Sequence, residues 1–270
     1  MRLTLLFLLP GSYLLGSRLR SRASWASMLG YDWIPQLLLI AALGTPSVVA
    51  SPGALFVSWL AFISLYELGY LTNDVLSVRF EKNPRRRIAG FDPRAAQLVL
   101  WLMSRLFAFT GLTFALGQET RWQWWAFHGL LTLVFLSHNL LRRESLRVAS
   151  FTGLAFGRFT APLLPWIPAA ALPAIVFPVL LYYVLFRLLG YLDGKRFLSL
   201  PGRRESAFRI GFYAVLLPLG GMSSLALGSV LPLAANLWYL AFWSAIALAK
   251  RLTGLREAPL HPGSDAEGQA

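Results

Sequence analysis

Eight apolar stretches of about bilayer length follow one another along this chain, at 33–50, 53–72, 96–117, 122–141, 149–168, 171–192, 208–229 and 231–249. A hydrocarbon core needs roughly 20 mostly apolar residues per helical crossing, so the pattern predicts an all-α fold, a polytopic transmembrane helical bundle of about eight spans. The composition agrees, with 56% of the 270 residues hydrophobic and only 14% charged. Those proportions exclude a soluble globule and a disordered chain. The absence of cysteine excludes a disulfide-stapled secreted module, thiolate metal sites and cysteine nucleophiles.

A formal charge of +13 would suggest nucleic acid in a soluble protein, but the positions of the cations give another cause. Twenty of the 25 Lys and Arg residues lie before the first stretch, in every second connection, or after the last: Arg18 to Arg22, Arg79 to Arg94, Arg142 to Arg147, Lys195 to Arg209 and Lys250 to Arg256. The alternate connections hold only Arg121. Cytoplasmic loops carry the cationic excess in polytopic proteins, so an even span count with both termini cytoplasmic accounts for every loop, and no nucleic-acid partner is expected. Residues 1–29, with Arg2, the apolar run Leu3–Leu9, Pro10 and Arg18, read as an N-terminal interfacial segment without a convincing cleavage site. Residues 30–256 read as a single transmembrane helical-bundle domain, and 257–270, polar and rich in Gly and Pro, as a disordered cytoplasmic tail.

Two polar insertions interrupt the apolar pattern, and ionisable groups at such places are usually functional or paired. The first closes the second stretch. If its helix continues past Tyr70, then Asn73, Asp74, Ser77 and Glu81 recur at spacings of three and four and share one stripe. Hard oxygen ligands of this kind suit Mg²⁺, which keeps several waters and is commonly completed by substrate phosphates. The following Lys82, Arg85, Arg86 and Arg87 suit phosphate, although a solvated helix end with snorkelling arginines would read the same way. The second insertion closes the sixth stretch with Gly190, Tyr191, Leu192, Asp193, Gly194, Lys195 and Arg196. Acidic positions at corresponding ends of the second and sixth stretches suggest a duplicated bundle whose halves share a cytoplasm-facing cavity.

These residues resemble the UbiA superfamily of intramembrane transferases, whose first aspartate-rich motif, NDxxDxxxD, follows the second helix and whose second, DxxxD, follows the sixth. The resemblance covers residues 18 to about 230. Asn73-Asp74-Val-Leu-Ser77-Val-Arg-Phe-Glu81 stands at the first motif, with Ser77 in place of one Asp and Glu81 in place of the last. Asp193-Gly-Lys-Arg-Phe197 stands at the second, with Phe197 in place of its final Asp. The family's Tyr-x-x-x-Lys at the end of the fourth helix corresponds to His138-x-x-x-Arg142. Nine helices are usual in the family, against eight stretches here.

The resemblance implies a transferase integral to a membrane, here expected to be a bacterial inner membrane, that moves a polyprenyl group from its diphosphate to an acceptor with Mg²⁺. It assigns Asp74 and Asp193 catalytic roles and makes Asn73, Asp74, Glu81 and Asp193 the metal ligands. Substrate-binding positions are then Ser77, Lys82, Arg85, Arg86, Arg87, His138, Arg142, Arg158, Tyr191, Lys195 and Arg196. The partners implied are a polyprenyl lipid substrate and membrane lipids. Two alternatives stand beside it: phosphoribosyl transfer onto a polyprenyl phosphate, and a catalytically degraded relative that binds a polyprenyl lipid. A transporter finds no paired broken helices in the sequence.

Glu67, seven residues before Asp74 and on nearly the same helix face, is expected to form an ion pair inside the bundle with Arg105, Arg158 or Arg187. His128 reads as packing or interfacial. Trp122, Trp124 and Trp125 read as interfacial anchors. The runs Gly153–Gly157 and Gly220–Ser224 read as close helix contacts.

Overall fold

The computed structural model describes residues 8–19, 21–44, 52–75 and 93–254, and every regular element among them is helical. Among the described residues, six helices are long and apolar enough to cross a membrane: Ser24–Leu43, Gly53–Val75, Ala95–Ala115, Ala169–Gly194, Ser206–Ala226 and Leu231–Leu252. The protein is therefore an all-helical, membrane-integral chain. The stretches at 122–141 and 149–168 are also helical, as Trp122–Leu140 and Glu144–Thr160, but fall short in apolar character. One carries Gln123, His128, His138 and Asn139, and the other is bracketed by Glu144, Arg147 and Arg158.

The chain divides into two compact units, residues 1–191 and 192–270. In the first, α1 (Ser12–Ser17) precedes α2 (Arg22–Ser27), a π-helical turn (Met28–Trp33) and α3 (Ile34–Leu43). Ser21 starts α2 by accepting the Ser24 N–H at 3.1 Å in a reciprocal capping box. The first crossing thus begins at Ser24 rather than at 33, which places Asp32 within it. Then come α4 (Pro52–Val75), α5 (Ala95–Ala115), α6 (Trp122–Leu140), α7 (Glu144–Thr160), α8 (Leu172–Pro178), a second π-helical turn (Val179–Val184) and α9 (Leu185–Gly194).

The central element is α4, buried over 67% of its span and packed against α5, α6 and the short 3₁₀ turn Ala161–Leu163. Gly69 permits that packing, because a Cβ there would sit inside the Phe135 ring of α6. Asn139 of α6 fastens the same crossing by donating to the Gly69 carbonyl at 2.8 Å and the Thr72 hydroxyl at 2.6 Å. Gly157 similarly admits Leu131 between α7 and α6, whereas a Cβ at Gly153 would make only ordinary contact.

The N-terminal segment joins this core. Tyr13 and Leu14 of α1 are buried with Phe62, Tyr66 and Tyr70 of α4, so one face of the segment read as interfacial belongs to the bundle. Gly11 turns the chain into α1 with φ at 84°.

In the second unit, α10 (Ser206–Val215) and α11 (Leu217–Ala226) both pack against α12 (Leu231–Leu252). Pro218 interrupts the α10–α11 rod by lacking an N–H donor. Tyr213 stacks on Tyr239 with ring centroids 5.3 Å apart, and the Arg209 guanidinium lies 4.3 Å from the Trp243 ring centroid. Lys250 and Arg251 close α12, where cations suit the negative end of the helix dipole.

Candidate functional site

A charged cluster lies in the interior of the first unit, and both π-helical turns help to build it. A π turn leaves backbone carbonyls outside the regular helical ladder, and such turns are frequent at functional sites. The Tyr31 hydroxyl, from the first turn, lies 3.4 and 3.3 Å from the carbonyls of Tyr182 and Tyr183 in the second. The Tyr31 and Tyr183 rings stack at 5.1 Å. Beside them, Asp32 accepts the Tyr183 hydroxyl at 2.8 Å and two donors of Arg158, Nη2 at 2.6 Å and Nε at 3.2 Å. Arg158 spends its Nη1 on the Tyr70 hydroxyl at 2.9 Å. Arg187 approaches the other Asp32 oxygen at 3.7 Å and the Tyr183 hydroxyl at 3.2 Å.

Asp74 lies one helical turn beyond Tyr70 along α4. The Arg18 guanidinium lies over the Tyr70 ring at 3.6 Å, a cation–π geometry. One Asp74 oxygen accepts the Tyr13 hydroxyl at 2.5 Å and the other accepts the Asn73 amide at 3.0 Å. The carboxylate is buried, at 8% exposed, and its orientation is fixed by α1 from one side and its own neighbour from the other.

Glu67 resolves to Arg105, whose Nε lies 2.8 Å from the carboxylate, with both side chains almost wholly buried. Glu67 also accepts the Gly11 N–H at 3.1 Å and the Leu14 N–H at 2.7 Å. It therefore caps α1 from another helix, satisfying donors that open a helix without partners. Arg105 completes the dock by donating to the Leu8 carbonyl at 2.7 Å. The partner of Arg158 is Asp32 rather than Glu67.

The other described site residues expected from the sequence lie near the ends of α6 and α9. His138 of α6 lies 2.9 Å from the Ser150 hydroxyl, and Tyr191 stacks on Phe151 with centroids 4.2 Å apart, 6.4 Å from the His138 ring. Arg142 is exposed between α6 and α7. In the second unit, Asp193 accepts Arg203 Nε at 2.7 Å and the Leu200 N–H at 3.0 Å, while Lys195 is half-buried and Arg196, with φ at 61°, exposed. Ser77, Glu81, Lys82, Arg85, Arg86 and Arg87 lie outside the described residues.

Sequence reasoning missed Asp32, Tyr183 and the contribution of Tyr13. An aspartate four residues before Gln36 in a run that is otherwise apolar was the available signal for Asp32.

Among the described residues no three carboxylate or imidazole groups converge. Mg²⁺ does not require three, since it often takes one or two carboxylates and fills its shell with water and substrate phosphates. The hard oxygens at the end of α4, from Asp74 and Asn73, fit that demand. No protein-family model, curated protein or solved structure matches this chain.

Proposed function

We propose that the chain is an intramembrane transferase of the UbiA type, moving a polyprenyl group from its diphosphate to an acceptor. The observation that carries the reading is the oriented, buried Asp74 beside Asn73 at the end of a membrane-length helix, one turn beyond a Tyr70 that meets the guanidinium groups of Arg158 and Arg18. This combination suits a substrate with an anionic head and an apolar tail. The reading takes α6 and α7 as two further spans, giving eight, with both termini cytoplasmic and the protein in a bacterial inner membrane.

Departure of diphosphate exposes charge that a water-poor site must meet with fixed cations and dipoles, each worth several kcal/mol when well aimed. Bound Mg²⁺ would supply part of that neutralisation, with Asp74 and Asn73 among its ligands. Tyr13 and Asn73 hold the Asp74 carboxylate in one orientation, and Arg18 stacks on Tyr70, one helical turn before Asp74. Arg158 is committed to Asp32 and Tyr70 and acts as a brace for Tyr70.

The test is diphosphate release from farnesyl diphosphate by the purified full-length chain, with and without Mg²⁺ and with isoprenoid acceptors. Metal-dependent turnover supports the reading. Farnesyl diphosphate that binds equally with and without metal, and is never cleaved, points to a lipid-binding relative.

A further inference from the structure

The structure assigns a second binding function to Arg187: it receives the oxyanion, carboxylate or phosphate, of a ligand that enters the bundle. The argument begins with charge. Asp32 faces two guanidinium groups, and no second carboxylate lies within ion-pair distance of either among the described residues. The cluster therefore holds one positive charge more than its counter-ion neutralises, inside a membrane-integral bundle where an uncompensated charge is costly.

The two arginines differ in how they are used. Arg158 places Nε and Nη2 on Asp32 and Nη1 on Tyr70, and its side chain is 17% exposed. Arg187 reaches Asp32 only at 3.7 Å, donates Nη1 to Tyr183, and leaves its other donors without a protein acceptor among the described residues. Its side chain is 31% exposed.

The guanidinium itself is turned toward the bundle, where Nη1 meets the Tyr183 hydroxyl at 3.2 Å. Tyr183, fully buried against Asp32, precedes Arg187 by four residues and shares its face. Tyr191 follows by another four, stacked on Phe151 of α7. Arg187 thus presents the remaining donors of a planar guanidinium beside the Tyr183 ring, 5.2 Å from its centroid, and such a fork binds a carboxylate or phosphate through two parallel hydrogen bonds. Asp32 and Tyr183 pre-orient it without consuming it.

The full-length chain in detergent, without divalent cation, would be titrated with dodecyl phosphate, benzoate and neutral dodecanol, following thermal unfolding. Stabilisation by dodecyl phosphate alone supports a phosphate-headed lipid, and by benzoate alone a small carboxylate. Stabilisation by both supports an oxyanion site of either source. In Arg187→Gln the affinity for the stabilising anion falls about tenfold or more. Dodecanol matching the anions, no anion acting at all, or an Arg187→Gln protein binding as wild type would overturn the assignment. The comparison of anions with dodecanol stands whether or not the variant folds. With no Mg²⁺ and no diphosphate present, its outcome is separate from that of the transferase reading.

Discussion

The Tyr13 hydroxyl donates to an Asp74 oxygen at 2.5 Å across a sequence separation of 61 residues. The contact makes the N-terminal helix part of the Asp74 site. It exists because Glu67, seven residues earlier on the same face of α4, accepts the first free N–H groups of α1 and so sets where that helix lies.

Tyr13→Phe removes the hydroxyl with little change of volume and takes one donor from a buried Asp74 oxygen. Loss of about 1–3 kcal/mol of stability is expected, together with weaker Mg²⁺-dependent binding of farnesyl diphosphate. Denaturation in detergent and a binding titration measure the two effects. Unchanged diphosphate affinity would show that Tyr13 serves packing alone.

Glu67 and Arg105 are both buried and joined at 2.8 Å. Removing one partner of a buried pair strands the other charge, at a cost of about 3–5 kcal/mol. Glu67→Gln and Arg105→Gln are each expected to destabilise strongly, and the double variant by clearly less than their sum. A strictly additive double-mutant cycle would mean that the carboxylate matters only as the cap of α1.

The topology is open to single-cysteine labelling, since the chain has no native cysteine. Cysteines at positions 83, 145, 200 and 262 should react from the cytoplasmic side, and those at 48, 119 and 170 from the other. Reaction of any of the first group from outside contradicts eight spans.

Much of this was legible in the sequence, and what was not has physical causes. Apolar length located the helices, and the expectation of a bundle ion pair for Glu67 held, because a buried carboxylate needs a partner. Choosing Arg105 over Arg158 or Arg187 required tertiary packing, since all three lie in apolar segments. Asp32 was hidden because the first stretch was begun at 33, whereas the Ser21 capping box starts the helix earlier and a π turn carries it past the aspartate. Asp193 showed as an acidic helix end, but its bond to Arg203 depends on how the following loop folds back. Spacing alone cannot supply that.

The most direct test of the central claim is Mg²⁺-dependent thermal stabilisation by farnesyl diphosphate in the wild type, Asp74→Ala and Ser77→Asp. Linkage gives roughly 2.7 kcal/mol of stabilisation at a hundredfold excess over the dissociation constant. The metal-dependent part should be present in the wild type, vanish in Asp74→Ala, and persist at lower Mg²⁺ concentration in Ser77→Asp, which supplies the carboxylate that the UbiA motif carries at that place. Equal shifts in all three proteins would contradict the account, because the end of α4 would then not be where metal and diphosphate bind.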